Sequence, residues 1–347
     1  MRAPDFWEEP PGFAAALLAP IGLAWDAVSR VRRALARPYR AAVPVVCVGN
    51  LVVGGSGKTP VVLSLAALAA AHGIAVNVVT RGYGGRLSGP VRVDPGRHDA
   101  AAVGDEALLI ATRAPCWVAR DRAAGIRAAV TQGAAAILLD DGFQNPRIAP
   151  DLALVVIDAG YGFGNRRVMP AGPLREPVRS GLARADAVVL IDAERIGGGE
   201  VPDGVREAGR PIFRASLDPV QGGRFSGERI VAFAGIGRPA KFFATLRATG
   251  AELVAAHPFP DHYRLAEGEL DRLRREAERA GARLVTTAKD WARLQAGRRA
   301  GIEVLEVEIS WRDPAAVARL LSSVLGQAAD GSDRRAGSTG LASHGAQ

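Results

Sequence analysis

Residues 43–73 read VPVVCVGNLVVGGSGKTPVVLSLAALAAAHG, and the fold turns on what this stretch is. Val43 to Val48 is a short apolar, β-branched run of the kind buried on both faces of a sheet. From Lys58 an alanine- and leucine-rich run follows with helical length and spacing. The turn between them, Gly54-Gly55-Ser56-Gly57-Lys58-Thr59, closes like a phosphate-binding loop. Its glycines let backbone N–H groups turn onto phosphate oxygens, and the helix amino terminus adds partial positive charge. Lys58 can then reach the β- and γ-phosphates while Thr59 offers its hydroxyl to Mg2+. The pattern G-x-x-x-x-G-K-[ST] wants a glycine six residues before the lysine, and Val52 stands there. Gly54 and Gly55 are left to make the tight turn, so the candidate ATP-binding loop is Val52, Val53, Gly54, Gly55, Ser56, Gly57, Lys58 and Thr59. A glycine turn that merely precedes a helix stays open on these residues alone.

Outward from this stretch the alternation continues. Strand candidates fall at 43–48, 74–80, 116–119, 135–139, 152–157 and 187–191, with helices such as 58–72 and 122–132 between them. Repeated βα units with uniformly apolar strands predict a P-loop NTPase-like α/β fold: a mostly parallel sheet sandwiched by helices. Ligands of such sheets sit beyond the carboxyl ends of the strands. A glycine-rich polar break at 192–211 precedes a second series, with a helix at 266–281 and strands at 283–287 and 302–309. The expected organisation is an amphipathic helical segment (1–42), a nucleotide-binding α/β domain (43–220) and a smaller α/β domain (221–310). A carboxyl-terminal helix (311–326) returns to the first domain, and the small, polar tail (327–347) is expected to be disordered.

The composition narrows the chemistry. At 347 residues with 48% hydrophobic and 23% charged residues, the chain has the make-up of a soluble globular protein. Cys47 and Cys116 are its two cysteines, too few and too far apart for a disulfide framework or a zinc site. Met1–Pro11 carries acids and prolines, so a secretory signal is not expected. The net charge of +8 comes almost wholly from arginine, since lysine occurs at positions 58, 241 and 289 alone. No basic stripe interleaved with aromatics accompanies it, so nucleic acid is not the expected partner; phosphorylated small molecules or an anionic membrane surface suit the charge equally.

The amino-terminal run GFAAALLAPIGLAWDAVSRVRRALARPYR is apolar from Phe13 to Trp25 and then basic. It falls short of the ~20 apolar residues a span needs, and Pro20 and Gly22 interrupt it. It is expected either as a pair of short helices packed on the domain or as a membrane-surface anchor. In the second reading Trp7, Phe13 and Trp25 sit at the interface while Arg30, Arg32, Arg33, Arg37 and Arg40 meet lipid phosphates.

Loops at strand ends carry the remaining chemistry. TRGYGGR offers glycines, two arginines and Tyr83; VGDEALLIA places Asp105 and Glu106 at a helix start, where carboxylates are favoured by the dipole. ILLDDGFQN resembles a Walker B strand whose Asp140-Asp141 would deliver a carboxylate to Mg2+. Arg120 ends a strand, Arg175 and Glu176 stand on a proline-bounded loop, and Asp261 and His262 lie in the proline-stiffened PFPDHYRL. A histidine there is a candidate general base.

Taken in order, VGNLVVGGSGKTP, TRGYGGR, VGDEALLIA, ILLDDGFQ, PAGPLREP, FAGIGRPAKFF, PFPDHY and TTAKDWARL resemble the tetraacyldisaccharide 4′-kinase (lipid A 4′-kinase) family from about Phe13 to Leu325. The family's loop also lacks the first Walker glycine. The resemblance implies an ATP- and Mg2+-dependent kinase, peripheral on the cytoplasmic face of the inner membrane, with no protein partner. It would phosphorylate the 4′-hydroxyl of a tetraacyl glucosamine disaccharide 1-phosphate. It also implies that Asp105 and His262 form a dyad that activates the hydroxyl, that Lys58 serves the transfer, and that Thr59, Glu106 and Asp140 form the metal shell. Tyr83, Arg120, Asp141, Gln144, Arg175 and Glu176 would hold the headgroup. Ala288 departs from the glutamate expected before Lys289. A P-loop NTPase switch or assembly factor is the alternative; it accounts for Lys58, Thr59 and Asp140 but leaves the His262 loop and the amphipathic start without a purpose.

Overall fold

Residues 4–192 and 201–326 are described in a computed structural model of the chain. The tail at 327–347 and residues 193–200 of the glycine-rich break lie outside the described residues. In chain order the strands are β1 (Val45–Gly49), β2 (Val76–Thr80), β3 (Val91–Arg92), β4 (Cys116–Val118), β5 (Ala136–Asp140), β6 (Leu152–Asp158), β7 (Ala187–Ile191), β8 (Ile212–Pro219), β9 (Arg229–Ala234), β10 (Glu252–Pro258), β11 (Arg283–Thr287), β12 (Ile302–Leu305) and β13 (Val307–Trp311).

The first sheet has nine strands in the order β13-β8-β7-β6-β1-β5-β2-β4-β3. Its seven inner strands run parallel, and β13 and β3 are antiparallel edges. Every residue of β1, β2, β5, β6 and β7 is buried, because helices cover both faces. Helices Lys58–Ala71, Asp105–Ala111 and Pro314–Leu325 share one apolar core with the sheet, and Arg122–Thr131 and Val178–Ala183 share the other. Strand β1 lies between β5 and β6, with β2 and β4 on one side and β7 and β8 on the other. The chain order reverses at β1, which opens a crevice beyond its carboxyl end.

The second sheet is four-stranded and parallel, in the order β10-β9-β11-β12. Phe242, Phe243 and Leu246 of helix Pro239–Ala248 pack on one face, and Leu270, Leu273 and Ala277 of helix Glu267–Arg279 on the other. Loops following β9, β10 and β11 all meet the first sheet's crevice.

Two expectations are corrected. The run 302–309 is not one strand: Ile302–Leu305 completes the second sheet, and Val307–Trp311 pairs antiparallel with β8 of the first. Leu305 packs in one core and Ile309 in another, so an unbroken apolar signal concealed a change of sheet. The amino-terminal segment is likewise not a pair of short helices but one continuous helix, Phe13–Ala34, running through Pro20. Proline removes a single intrahelical hydrogen bond, and the docking of the helix holds that turn. A Cβ on Gly22 would lie 2.7 Å from the Val168 carbonyl oxygen, and Arg33 comes within 3.5 Å of Glu176. By length and composition this helix is long and apolar enough to cross a membrane, and little of it is covered by the rest of the protein.

Candidate active site

Gly57 caps helix Lys58–Ala71 in the left-handed region, at φ +82°, where a side chain would strain the backbone and strike Ile191. The turn is braced by a hydrogen bond from Asn50 Nδ2 to Ser56 Oγ, 2.9 Å. Lys58 and Thr59 are buried at the helix start, and Lys58 Nζ lies 3.7 Å from Asp141 Oδ1. The missing Walker glycine is explained here. Val52 is buried and bridges Leu174, and the Val53 N–H donates to the Pro173 carbonyl at 2.9 Å. Both valines fasten the loop to 168–176 and, with the Val53 amide committed, the cradle begins at Gly54. From the second sheet, Gly237 lies so near the loop that a Cβ would stand 2.9 Å from Gly55 N.

Asp140 ends β5 fully buried, with Oδ2 accepting from Thr80 Oγ1 at 3.2 Å and Oδ1 without a hydrogen-bond partner. Burial, then the neighbouring Glu106 and Asp141 carboxylates, push its carboxyl up to about 7. A buried, half-satisfied carboxylate beside a phosphate loop suits a hard cation. Among the described residues no group of three or more His, Cys, Asp or Glu side chains is arranged to hold an ion. Glu106, beside Asp140, is ion-paired with Lys289 Nζ, whose charge holds it below the usual carboxylate range. Burial opposes ionisation of Asp141, yet Lys58 and Arg175 hold it down to about 2. Asp140→Asn keeps the Thr80 hydrogen bond and removes the unpaired charge. In metal-free buffer at pH 8 it is expected to stabilise the fold by about 1–3 kcal/mol while losing phosphoryl transfer. Thermal unfolding beside a transfer assay checks both.

Asp105 and His262 meet across the cleft. Asp105 opens helix Asp105–Ala111 of the first sheet's layer, and His262 follows β10, held at φ +59° with its N–H donating to the Gly235 carbonyl. His262 Nδ1 stands 3.2 Å from Asp105 Oδ2, and the ring packs against Tyr83 with centroids 5.0 Å apart. The hydrogen bond to Asp105 raises the histidine's affinity for a proton. Burial works against the Asp105 charge, but the His262 hydrogen bond and the Arg293 and Lys289 charges hold its carboxyl below the usual range.

The remaining residues expected at the site divide. Arg175 Nη1 donates to Asp141 Oδ1 (2.8 Å) and Gln144 Oε1 (3.1 Å), and Asp141 in turn lies beside Lys58. Gln144 Nε2 is spent on the Asn50 carbonyl at 2.7 Å. Glu176 is wholly buried and takes both oxygens to Arg184 Nη2, 2.6 and 2.7 Å; it braces the loop and does not offer its carboxylate to a headgroup. Tyr83 and Arg120 are exposed. Sequence reasoning missed the cations of helix Ala288–Arg293. Lys289 and Arg293, one turn apart, face Glu106 and Asp105, partners that no local pattern in TTAKDWARL indicates. It also missed Lys241, whose Nζ joins Asp158 and Asp192 at 2.7 and 2.6 Å and so ties the second sheet to the ends of β6 and β7.

A glycine loop over a helix start, a buried aspartate on the next strand, and a histidine–aspartate pair closing from a second sheet define a kinase of the P-loop class. The chain belongs to the tetraacyldisaccharide-1-P 4′-kinase family, whose model matches residues 14–326. It is 52% identical over 331 residues to the tetraacyldisaccharide 4′-kinase of Rhodospirillum centenum, covering 94% of this chain and 97% of that protein. It is likewise 52% identical over 329 residues to that of Dinoroseobacter shibae, covering 93% and 98%. Among solved structures it is similar to LpxK from Aquifex aeolicus, crystallised in complex with ATP, with a TM-score of 0.71 and 26% identity, covering 90% of this chain and 99% of that one.

Proposed function

We propose that this protein transfers the γ-phosphate of ATP to the 4′-hydroxyl of a tetraacyl glucosamine disaccharide 1-phosphate, a step of lipid A synthesis, with the Asp105–His262 pair activating the hydroxyl. The observation that carries the assignment of roles is the 3.2 Å contact between His262 and Asp105, made next to the Lys58 loop by a residue from the other sheet. The loop amides from Gly54 to Gly57 and the amino terminus of helix Lys58–Ala71 bind the phosphates, and Lys58 balances their charge. Asp140 and Thr59 would hold Mg2+, which supplies charge neutralisation on the phosphate oxygens. His262 Nδ1 donates to Asp105, leaving Nε2 to take the proton of the sugar hydroxyl. Arg175, Tyr83 and Arg120 would hold the phosphorylated headgroup, a role supported by the exposure of Tyr83 and Arg120. Transfer of labelled γ-phosphate to purified tetraacyl disaccharide 1-phosphate tests the reading; robust ATP hydrolysis that ignores the lipid would favour a nucleotide switch instead.

The helix Phe13–Ala34 serves as a surface anchor in this reading, on the cytoplasmic face of the inner membrane where ATP is available. One side of it is docked, with Ala15, Gly22 and Asp26 buried and Arg33 paired with Glu176, so it lies along the protein with Phe13, Leu17 and Leu23 outward. An amphipathic helix held this way enters the headgroup boundary without crossing. Leu17→Glu and Leu23→Glu are each expected to weaken vesicle binding about tenfold and to leave ATP binding unchanged, as read by co-sedimentation and nucleotide titration.

A further inference from the structure

Arg293 is the most fully committed cation in the cleft, and no step of the transfer requires it. Its side chain is 7% exposed. It donates from Nε (2.7 Å) to Asp105 Oδ2, with Nη2 2.5 Å from the same oxygen. Nη1 donates to the Gly235 carbonyl (2.6 Å) and Asp290 Oδ1 (2.7 Å). Nη2 also lies 3.3 Å from His262 Nδ1. Asp105 Oδ2 is therefore shared by a guanidinium on one side and the imidazole on the other.

Resting on the kinase reading above, we propose that Arg293 is a positioning residue of the dyad: it divides the Asp105 carboxylate with His262 and so keeps Nε2 free to accept a proton at neutral pH. A carboxylate given wholly to an imidazole stabilises the imidazolium, which is useless as a base. Sharing that carboxylate with a fixed cation retains the orientation and weakens the charge that holds a second proton. A guanidinium has no acceptor and cannot itself titrate, so it does this at every working pH. The same geometry selects a tautomer. Arg293 finds a nearer acceptor in Asp105 than in Nδ1, so Nδ1 carries its proton toward Asp105 and Nε2 stays bare.

The other groups facing the ring do not replace Arg293. Asp261 Oδ1 is 3.8 Å from Nε2 and favours the imidazolium, Tyr83 offers a neutral ring, and Lys289 is spent on Glu106. The directions agree: Asp105 and Asp261 raise the proton affinity of His262, and Arg293 lowers it.

The test is the titration of His262 by NMR in the full-length protein, in wild type, Arg293→Gln and Arg293→Lys, beside the acid limb of kcat/KM for lipid phosphorylation. Arg293→Gln is expected to move the His262 midpoint up by about one pH unit, to carry the acid limb with it, and to recover activity as pH rises. Arg293→Lys, which keeps the charge, is expected to restore the midpoint. A folded Arg293→Gln whose His262 midpoint is unmoved, with activity lowered equally at every pH, would leave Arg293 a structural clamp and overturn the proposal. If that variant does not fold, the nitrogen shifts of His262 in wild type decide: a proton on Nδ1 supports the assignment, and one on Nε2 overturns it. Because the NMR readout needs no turnover, a moved midpoint without lipid phosphorylation would sink the kinase reading and leave this one standing.

Discussion

Lys58→Ala is expected to lower kcat for phosphoryl transfer by about 10³-fold and to move the melting temperature by only a few degrees. In the proposed reading the loop offers the phosphates neutral amide donors, and Lys58 is the one full positive charge between Val52 and Thr59. Burial lowers the proton affinity of this lysine, and the Asp141 carboxylate opposes that shift. The acid lies 3.7 Å from the amine, a weak contact that an arriving phosphate oxygen can replace. Little stability rests on that contact. Asp141 keeps its hydrogen bond from Arg175 at 2.8 Å after truncation, and the desolvation cost of a buried ammonium disappears with the side chain. Arginine is not a conservative replacement here, because its planar fork does not fit a slot shaped for a point charge. Single-turnover transfer with saturating ATP, beside thermal unfolding, separates the two effects. A variant within tenfold of wild type would remove the loop from the chemistry.

How much of this site was legible in the sequence depended on how far its signals travel. The Lys58 loop and Asp140 were readable because each follows an uninterrupted apolar strand, and burial on both faces leaves that mark wherever a parallel strand sits. The proline-stiffened loop marked His262 as a candidate base and the helix start marked Asp105, but their pairing across 157 positions came from family resemblance rather than from any local pattern. Arg293, 188 positions from Asp105, was invisible for the same reason: on its short helix it reads as an ordinary basic residue in a last turn. Glu176 misled in the opposite direction. Beside Arg175 in a proline-bounded loop it looked displayed, yet it is drawn inward by Arg184 from the following helix and approached by Arg33 from the amino-terminal one. Local pattern reports burial and turns; which charge meets which is decided by the packing of two sheets.

His262→Ala is expected to lower kcat by about 10²–10⁴-fold, Asp105→Asn to lower it less, and the double variant to fall no further than His262→Ala alone. The asymmetry comes from geometry. His262 accepts the proton, and Asp105 acts only through it by orienting Nδ1 at 3.2 Å. Once the imidazole is absent, the carboxylate has nothing left to orient. Asparagine is the informative replacement, because its amide oxygen can still accept from the buried Arg293 guanidinium, whereas alanine would leave those N–H groups without an acceptor and add a folding defect. The pH dependence has a fixed sign. Asp105 raises the proton affinity of His262, so kcat/KM falls as pH drops through the histidine's midpoint, and Asp105→Asn should carry that acid limb to lower pH while lowering the plateau. Stability follows the same linkage. The raised histidine contributes stability that is present below its unfolded value of about 6.5 and is lost as pH rises through its folded midpoint. His262→Ala should therefore cost more stability at pH 5.5 than at pH 8.5. Multiplicative losses in the double variant would mean that the two residues act separately. Asp105 would then have to take the proton itself, a poor task for a carboxylate already held ionised by Arg293 and Lys289.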